Sequence, residues 1–390
     1  MKHILRCHDI VKTDFVRGEN CTLYDAHGRA YTDLESGIWC TVLGHGHPRI
    51  NARMKAQIDQ IAHLGTRYTS HLAEEAAVEV LETIGYDDGA CTLLSSGSEA
   101  VEFGIQAARR LTNRPRLLTF AESYLGAYGS GGRKPEDEWI IVDWHDRERA
   151  DLLDTLEGVP WDEVGGFVFE PGGSGSAHVK FPPSELVDAI MERVRANAGL
   201  VVVNEVTTGM GRTGEWFGFH HYDLRPDVVA IGKGLGNGYP VSAVGMTRSL
   251  VDALESDGLH YAQSHQNDPL GCAVALEVIA ELGEGDWIAR GREMGAFFLK
   301  GLRDLQAGHP VVKDVRGRGM LLGLELHSDG GLSAMELYGR LLDQGFLVGY
   351  YAAGNLIRLD PALTIDKRDI ERFLAALDRL LASRRMPAVD

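Results

Sequence analysis

Short apolar runs alternate with amphipathic stretches through the middle of the chain. Residues 100–111 and 183–198 carry apolar positions at helical spacing, which predicts helices there. The apolar runs between such stretches are strand-like: CTLLSSG, RPRLLTF, WIIVDW, GGFVFEP, GLVVVNEV, DVVAIGKG and VSAVGMT. The alternation predicts an α/β fold, with a large domain built on a mainly parallel sheet that helices flank on both faces.

The C-terminal part has a different pattern. Residues 268–282, 291–306 and 369–385 have helical periodicity, and GMLLGLELH is strand-like. We therefore predict three parts: an N-terminal segment, 1–45, that packs with the small domain; a large domain, 46–275; and a small α+β domain, 276–390.

Composition narrows the classes of function. The net charge of −17 disfavours binding to nucleic acid or anionic membranes, so a small-molecule substrate is the better expectation. The five cysteines are scattered without CxxC spacing, which indicates neither a zinc site nor a disulfide framework. With no apolar signal region at the N-terminus and no membrane-length apolar stretch, a cytoplasmic protein is expected.

Two strand-like runs lead into polar residues, Asn204 and Lys233. In open α/β sheets ligands bind at the carboxyl ends of the strands. Lysine bonds to an aldehyde only as a neutral amine, and burial lowers its pKa enough for that. The pair suggests a pyridoxal phosphate (PLP) site in which Asn204 touches the ring and Lys233 bonds to the aldehyde. Taken alone, the GKG segment is more typical of an exposed loop lysine.

The segment Ser96-Gly97-Ser98 occupies a predicted strand-to-helix turn. Free backbone N–H groups and the helix dipole attract a phosphate at such a turn, and the serine hydroxyls add donors. A plain helix N-cap at Ser98, with Glu99 in the first turn, explains the same residues, and both interpretations can hold together.

Three other positions are candidates on weaker grounds. Tyr124 follows a strand and could stack on an aromatic cofactor, although taken alone a core or loop tyrosine fits the pattern better. Arg358 lies in an apolar context and needs a carboxylate partner, from either the protein or a substrate. His45 and His47 lack a carboxylate or cysteine at ligand spacing, so we predict turn structure there and no metal site.

Together, in order and spacing, these motifs resemble the class III (subgroup II) PLP-dependent aminotransferases of fold type I over nearly the whole chain. The matching segments are LYDAHGRAYTDLESGI, GHGHPRI, SSGSEAVEFGIQAAR, SYLGAYG, FEPGG, NEVTTGMGRTG, PDVVAIGKGLGNGYPVSAV, SHQNDPLGCAVAL, VRGRGMLLGLEL and IRLDPALTI. The resemblance implies a homodimer and a ping-pong transfer of an amino group from an amino acid or ω-amino compound to a keto acid or aldehyde.

The resemblance also implies a role for individual residues. Lys233 would be the Schiff-base lysine and the base that moves the substrate proton. Arg358 would bind the substrate carboxylate, and Trp39 would line the pocket. The implied cofactor contacts are Gly97 and Ser98, with Ser96 beside them, at the phosphate; Ser264 at the phosphate of the neighbouring subunit; Tyr124 and Val206 on the two ring faces; and Thr207 near the phenolic oxygen.

Four departures from the family pattern bear on the reaction. Asn204 replaces an aspartate whose charge keeps the ring nitrogen protonated, so the ring should accept electrons less well. Gly175 replaces a glutamate that pairs with the substrate arginine in some members, while Leu125 and Asp268 replace a His and an Asn. Because of Asn204, amino-acid racemisation or epimerisation, or an impaired PLP-binding protein, are the alternatives.

Overall fold

The computed structural model describes residues 3–5, 7–8, 10–12, 14–145, 147–173 and 178–383. Its largest sheet has seven strands in the order β4-β10-β9-β8-β7-β5-β6. The strands are β4 (Ala90–Leu94), β5 (Arg116–Phe120), β6 (Trp139–Val142), β7 (Val164–Phe169), β8 (Leu200–Asn204), β9 (Val228–Ile231) and β10 (Ser242–Met246). The neighbours from β9 to β6 pair in parallel, whereas β10 is antiparallel to both β9 and β4. All seven strand predictions are confirmed.

Helices cover both faces of this sheet. Successive residues of β8 point to opposite sides, and they enter two separate cores: Val202 joins one core, Val201 and Val203 the other. Helix α4 (Gly97–Thr112) supplies Ile105 to the first core. Helices α3 (His71–Ile84) and α6 (Ser184–Ala196) pack into the second. This arrangement confirms the predicted α/β class with a mainly parallel sheet.

Two four-stranded sheets lie outside the large one. The first has the order β1-β2-β3-β13 and the second the order β11-β12-β15-β14. Their strands are β1 (Phe15–Glu19), β2 (Thr22–Asp25), β3 (Ala30–Asp33), β11 (Val312–Arg318), β12 (Leu321–Leu326), β13 (Phe346–Leu347), β14 (Gly349–Tyr351) and β15 (Leu356–Leu359). The parallel pairing of β3 with β13 joins the N-terminal segment to the C-terminal part of the chain.

The remaining helices surround these sheets. They are the short turn α1 (Ser36–Trp39), α2 (Pro48–Ile58), α5 (Gly129–Arg133), α7 (Arg248–Ser256), α8 (Pro269–Glu284), α9 (Trp287–Gly308), α10 (Ala334–Asp343) and α11 (Lys367–Ala382). Helix α8 continues across residue 275, the predicted boundary between the large and the small domain. The domain bounds 1–45, 46–275 and 276–390 stay a prediction, in which this helix would link the two domains. No helix of the described residues combines the length and apolar character needed to span a membrane.

Candidate active site

Asn204 and Lys233 lie at the carboxyl edge of the large sheet. Asn204 is the last residue of β8 and pairs with Ala230 of β9, and Lys233 follows the end of β9 by two residues. Lys233 has a φ of 43°, in the left-handed region that non-glycine residues seldom occupy. Such strained positions cluster at functional sites. The two strand ends therefore present an amide and an amine on the side of the sheet where ligands bind.

The amine of Lys233 is held by a threonine and an indole. Its Nζ donates a hydrogen bond to Oγ1 of Thr207 over 2.8 Å and lies 4.6 Å from the centre of the Trp39 ring. Burial lowers the pKa of Lys233 below its ordinary value, although Glu170 and Cys40 favour the charged form. A lysine with a lowered pKa has a larger neutral fraction, and only the neutral amine attacks an aldehyde.

The side chain of Asn204 is buried and fixed at both ends. Its Nδ2 donates to the carbonyl of Tyr124 over 2.8 Å, and its Oδ1 accepts from the backbone N–H of Val206 over 3.1 Å. A flipped amide would set N–H against N–H and oxygen against oxygen, so this hydrogen-bond pattern selects one orientation. Asn204 is thus a positioned neutral group.

The turn at the start of α4 has the features of an anion site. Ser96 caps the helix, so the N-cap interpretation of Ser98 is wrong. Oγ of Ser96 accepts from the N–H of Glu99, whose carboxylate accepts from the N–H of Ser96 over 2.8 Å. The N–H groups of Gly97 and Ser98 come first in the helix and have no partner within it. Oγ of Ser98 accepts from the N–H of Ala127 and keeps its own O–H as a donor.

Val206 and Tyr124 lie next to this turn. Val206 packs so closely on Gly97 that a Cβ there would come within 2.5 Å of Cγ1 of Val206. The ring of Tyr124 is 47% exposed, and its backbone N–H donates to Glu170 over 2.9 Å. A cofactor with a phosphate and an aldehyde therefore fits the donor set and the amine, and the exposed Tyr124 is available to cover a flat ring.

Arg358 and Trp39 stack on one another. Cζ of Arg358 lies 3.9 Å from the centre of the Trp39 ring, within the range of a cation–π contact. Trp39 closes a left-handed turn in which Ser36, Gly37, Ile38 and Trp39 have φ values of 45°, 58°, 59° and 66°. Each non-glycine residue in that conformation costs about 1–2 kcal/mol. The turn places the indole within contact distance of both the guanidinium of Arg358 and the amine of Lys233.

Arg358 finds its carboxylate partners within the protein. Its Nε donates to Oδ1 of Asp360 over 2.8 Å, and its Nη2 donates to Oε1 of Glu35 over 2.7 Å. Its Nη1 donates to the hydroxyl of Tyr351 over 2.9 Å. Burial alone would lower the pKa of Arg358, but these partners raise it instead. The sequence did not predict Glu35 as a site residue, because the surrounding segment TDLESG contains no pattern that indicates a binding site.

Other predicted positions lie apart from this group. Ser264 is exposed in a loop beside β4, where the N–H of Asn267 donates to the carbonyl of Leu93. Gly175 lies outside the described residues, and Leu125 is buried. The roles assigned to Ser96, Gly97, Ser98, Tyr124, Asn204, Val206, Thr207, Lys233, Ser264, Trp39 and Arg358 stay predictions.

Asp268 lies between two histidines that sequence reasoning did not single out. Its carboxylate oxygens contact Nδ1 of His63 at 2.7 Å and Nδ1 of His265 at 2.5 Å. These three are the one group among the described residues whose ligand atoms are close enough for a metal ion, all within 4.8 Å of one another. The two hydrogen bonds account for the cluster without a metal. His45, for which a turn was predicted, instead forms an isolated β-bridge with Asn20, and its Nε2 contacts Asp33 at 2.7 Å.

Comparison with known proteins identifies the family. The family model "Aminotransferase class-III" matches residues 6–129 and 136–381. Acetylornithine aminotransferase of Methanopyrus kandleri is 31% identical, with 98% of each chain covered. Leucine/methionine racemase of Thermococcus litoralis is 26% identical over 94% of this chain and 90% of its own length.

A solved transaminase structure from the marine bacterium Virgibacillus, 23% identical, superposes with a TM-score of 0.90 and covers 98% of this chain and 97% of its own. That likeness supports the fold. The predicted family, fold class, reaction class and cofactor are confirmed. The chain therefore belongs to the class III aminotransferases, PLP-dependent enzymes that transfer amino groups.

Proposed function

We propose that Lys233 performs the covalent and proton-transfer steps of an amino transfer in this chain. The observation that supports this assignment is the Lys233 amine itself: burial lowers its pKa, and a hydrogen bond to Thr207 aims it at the carboxyl edge of the sheet. A neutral amine there can bond to an aldehyde, and, once released, can take a proton from the substrate carbon and return it.

The surrounding residues would hold the cofactor. Pyridoxal phosphate supplies an electrophilic aldehyde and an electron-accepting ring. Gly97 and Ser98, with the Ser96 cap, would bind its phosphate at the start of α4. Val206 and Tyr124 would enclose the ring, Asn204 would hydrogen-bond its nitrogen, and Thr207 would lie near its phenolic oxygen. Each of these residues acts by binding or orienting, which leaves Lys233 as the group that moves protons.

The substrates would be a small amino donor and a keto acid or aldehyde. Arg358 and Trp39 lie beside Lys233 and would bind a substrate carboxylate and its adjoining apolar chain. Nε1 of Trp39 is buried, and no described residue accepts its hydrogen, so a substrate oxygen could do so. Relatives named for acetylornithine suggest an ω-amino donor, a compound whose reacting amine is remote from its α-carboxylate.

We also propose a cytoplasmic homodimer. The five cysteines form no disulfide, and the acidic composition suits a dispersed enzyme. Exposed Ser264 would reach the phosphate of a second copy. Sedimentation of the cofactor-loaded protein should give the mass of two chains, and Ser264→Ala should weaken cofactor affinity without changing that mass. A monomeric holoenzyme would contradict this proposal.

The proposed role of Lys233 can be tested by spectroscopy and turnover. The purified protein should show the visible absorbance of lysine-bound cofactor and transfer amino groups within a panel of donors and acceptors. Lys233→Ala should lose both. Lys300→Ala, which removes an exposed lysine paired with Asp304, is the matched control and should keep both. Retained lysine-type absorbance in Lys233→Ala would disprove the assignment.

Racemisation or epimerisation is the second candidate, and the fixed neutral amide of Asn204 favours it. Without a fixed negative charge beside the ring nitrogen, we expect the proton taken from the substrate carbon to return to that carbon rather than to the cofactor. L-Amino acids incubated in deuterated buffer separate the two reactions. Solvent exchange with inversion and no keto acid supports racemisation, whereas keto-acid formation supports transfer.

A further inference from the structure

We propose that Glu35 is an internal carboxylate that occupies the substrate-binding face of Arg358 and must leave before a substrate carboxylate can bind there. The inference rests on the proposed function, in which Arg358 receives that carboxylate. It assigns to Glu35 a role in substrate choice that its position in the sequence does not indicate.

Each guanidinium nitrogen of Arg358 already donates a hydrogen bond within the protein. The guanidinium lies between the Trp39 ring, 3.9 Å from Cζ, and the backbone of Gly349, where a Cβ would come within 2.6 Å of Cζ. Its edges meet Asp360 through Nε, Tyr351 through Nη1 and Glu35 through Nη2. A planar carboxylate binds arginine best through two parallel N–H groups. Glu35 blocks one of the outer ones.

The charge balance around Arg358 also requires Glu35 to be released or protonated before a substrate carboxylate binds. One guanidinium facing two ionised carboxylates carries a net charge of −1, so a third carboxylate would bring the group to −2. Like charges at contact distance disfavour one another strongly in a buried site. Release or protonation of Glu35 leaves a neutral Arg358–Asp360 pair with Nη2 free. A substrate carboxylate then replaces Glu35 without adding charge.

Glu35 is the partner that can move. Asp360 is fully buried, whereas the Glu35 side chain is 26% exposed. Among the described residues, Arg358 is the one group that donates to the Glu35 carboxylate. The backbone of Glu35 is held separately, since its N–H donates to Oδ1 of Asp33 over 2.8 Å. The side chain can therefore leave Arg358 without disturbing the turn that carries Trp39.

The consequence concerns the substrate class. An amino donor whose reacting carbon carries no carboxylate binds while Glu35 stays on Arg358. A donor or acceptor with a carboxylate on the reacting carbon must first displace it. Glu35 therefore favours amines that react at a terminal carbon and lowers the affinity for α-amino acids and α-keto acids.

The pH should modulate this competition. Burial raises the pKa of Glu35 to about 7, although Arg358 favours its ionised form. Asp360, which directly follows β15, Asp33 at the end of β3 and Tyr338 on α10 also act on Glu35 or are acted on by it, and Lys12 lines the same cavity. Above pH 7, ionised Glu35 competes with the substrate carboxylate, so carboxylate affinity should fall by up to about tenfold per pH unit.

Propionate is a suitable probe because it carries the carboxylate and no reactive amine. Calorimetric titration of the cofactor-loaded protein at pH 8 should give a Kd for propionate about tenfold lower in Glu35→Gln than in the wild type. The same variant should bind propionate with little dependence on pH between 6 and 8. Propionamide, the neutral analogue, should bind both proteins alike.

Glu185→Gln is the control, since Glu185 pairs with Arg149 on the surface, and it should behave as the wild type. Arg358→Gln should abolish propionate binding in either background. A Kd in Glu35→Gln equal to or above that of the wild type overturns the proposal, as does propionate binding that survives Arg358→Gln. The titration needs no turnover, so a failure of amino transfer in the donor panel would count against the proposed function separately.

Discussion

Gly349 lies directly against the guanidinium of Arg358. The two residues are cross-strand partners of β14 and β15, and a Cβ at position 349 would come within 2.6 Å of Cζ and of Nη2 of Arg358. No side chain fits there while Arg358 remains stacked on Trp39. The glycine thus fixes the depth at which the arginine lies in the site.

Replacement of Gly349 by alanine should push Arg358 away from its partners. We expect the unfolding free energy to fall by about 1–3 kcal/mol, because the added methyl overpacks a buried position. The KM for a keto-acid acceptor should rise at least about tenfold, a loss on the scale of one charged hydrogen bond. Denaturant unfolding and steady-state kinetics measure the two effects.

Gly339→Ala is the matched control for that substitution. Gly339 lies in α10, and a Cβ there meets nothing within 4 Å. Alanine should stabilise this helix position slightly and leave the KM unchanged. Equal behaviour of the two variants would show that the contact with Arg358 has no bearing on substrate binding.

Thr207 should influence the rate through Lys233. Thr207→Val keeps the shape of the side chain but removes the oxygen that accepts the hydrogen bond from the Lys233 amine. Loss of one such bond, about 0.5–1.5 kcal/mol, should lower kcat up to roughly tenfold. Single-turnover kinetics with a saturating donor would measure it. Thr207→Ser keeps the hydroxyl and should keep most of the rate; an equal loss in both variants would exclude the hydrogen bond as the cause.

The sequence predicted the sheet and its functional edge because buried parallel strands are continuously apolar. The runs before Asn204 and Lys233 could therefore be recognised as strands, and the polar residues after them as the edge. The antiparallel direction of β10 could not be read in the same way. An apolar run has no direction, and only the short connection from β9, which contains no α-helix, indicates a reversal.

The pairing of Glu35 with Arg358 could not be predicted from the chain alone. It depends on the left-handed turn from Ser36 to Trp39, and Gly37 is the one residue there that suggests it. Ile38 argues against such a turn, because a β-branched side chain is strained at positive φ. The position of Gly349 under Arg358 likewise depends on strand register, which the sequence around 349 leaves open.

Asn204→Asp should affect the free and the loaded protein in opposite ways. In the free protein, the new carboxylate would face the Tyr124 carbonyl that Nδ2 now donates to, and stability should fall by about 1–3 kcal/mol. Bound cofactor with a protonated ring nitrogen would give that carboxylate a partner. The increase in Tm on cofactor addition should therefore be larger than in the wild type, and an unchanged increase would contradict a contact between residue 204 and the ring nitrogen.

Glu122 should make stability depend on pH. It is 3% exposed, and burial raises its pKa to about 7, although Trp144 favours the ionised form; Glu170 and Asp143 raise the pKa further. Because this folded-state pKa lies above the ordinary value of 4.5, the native state binds more protons than the unfolded state between about pH 4.5 and 7. The unfolding free energy should therefore fall as pH rises through that window.

Glu122→Gln isolates this contribution from other carboxyls, such as the partly buried Glu35 and the buried Glu205, whose pKa values are also raised. Urea unfolding at pH 5 and pH 8 should show a pH-dependent loss about 1–3 kcal/mol smaller in Glu122→Gln than in the wild type. Glu163→Gln removes an exposed carboxylate paired with Arg116 and should keep the wild-type loss. If Glu122→Gln also keeps it, Glu122 is already ionised at pH 5 in the folded protein, and a basic group must compensate its burial.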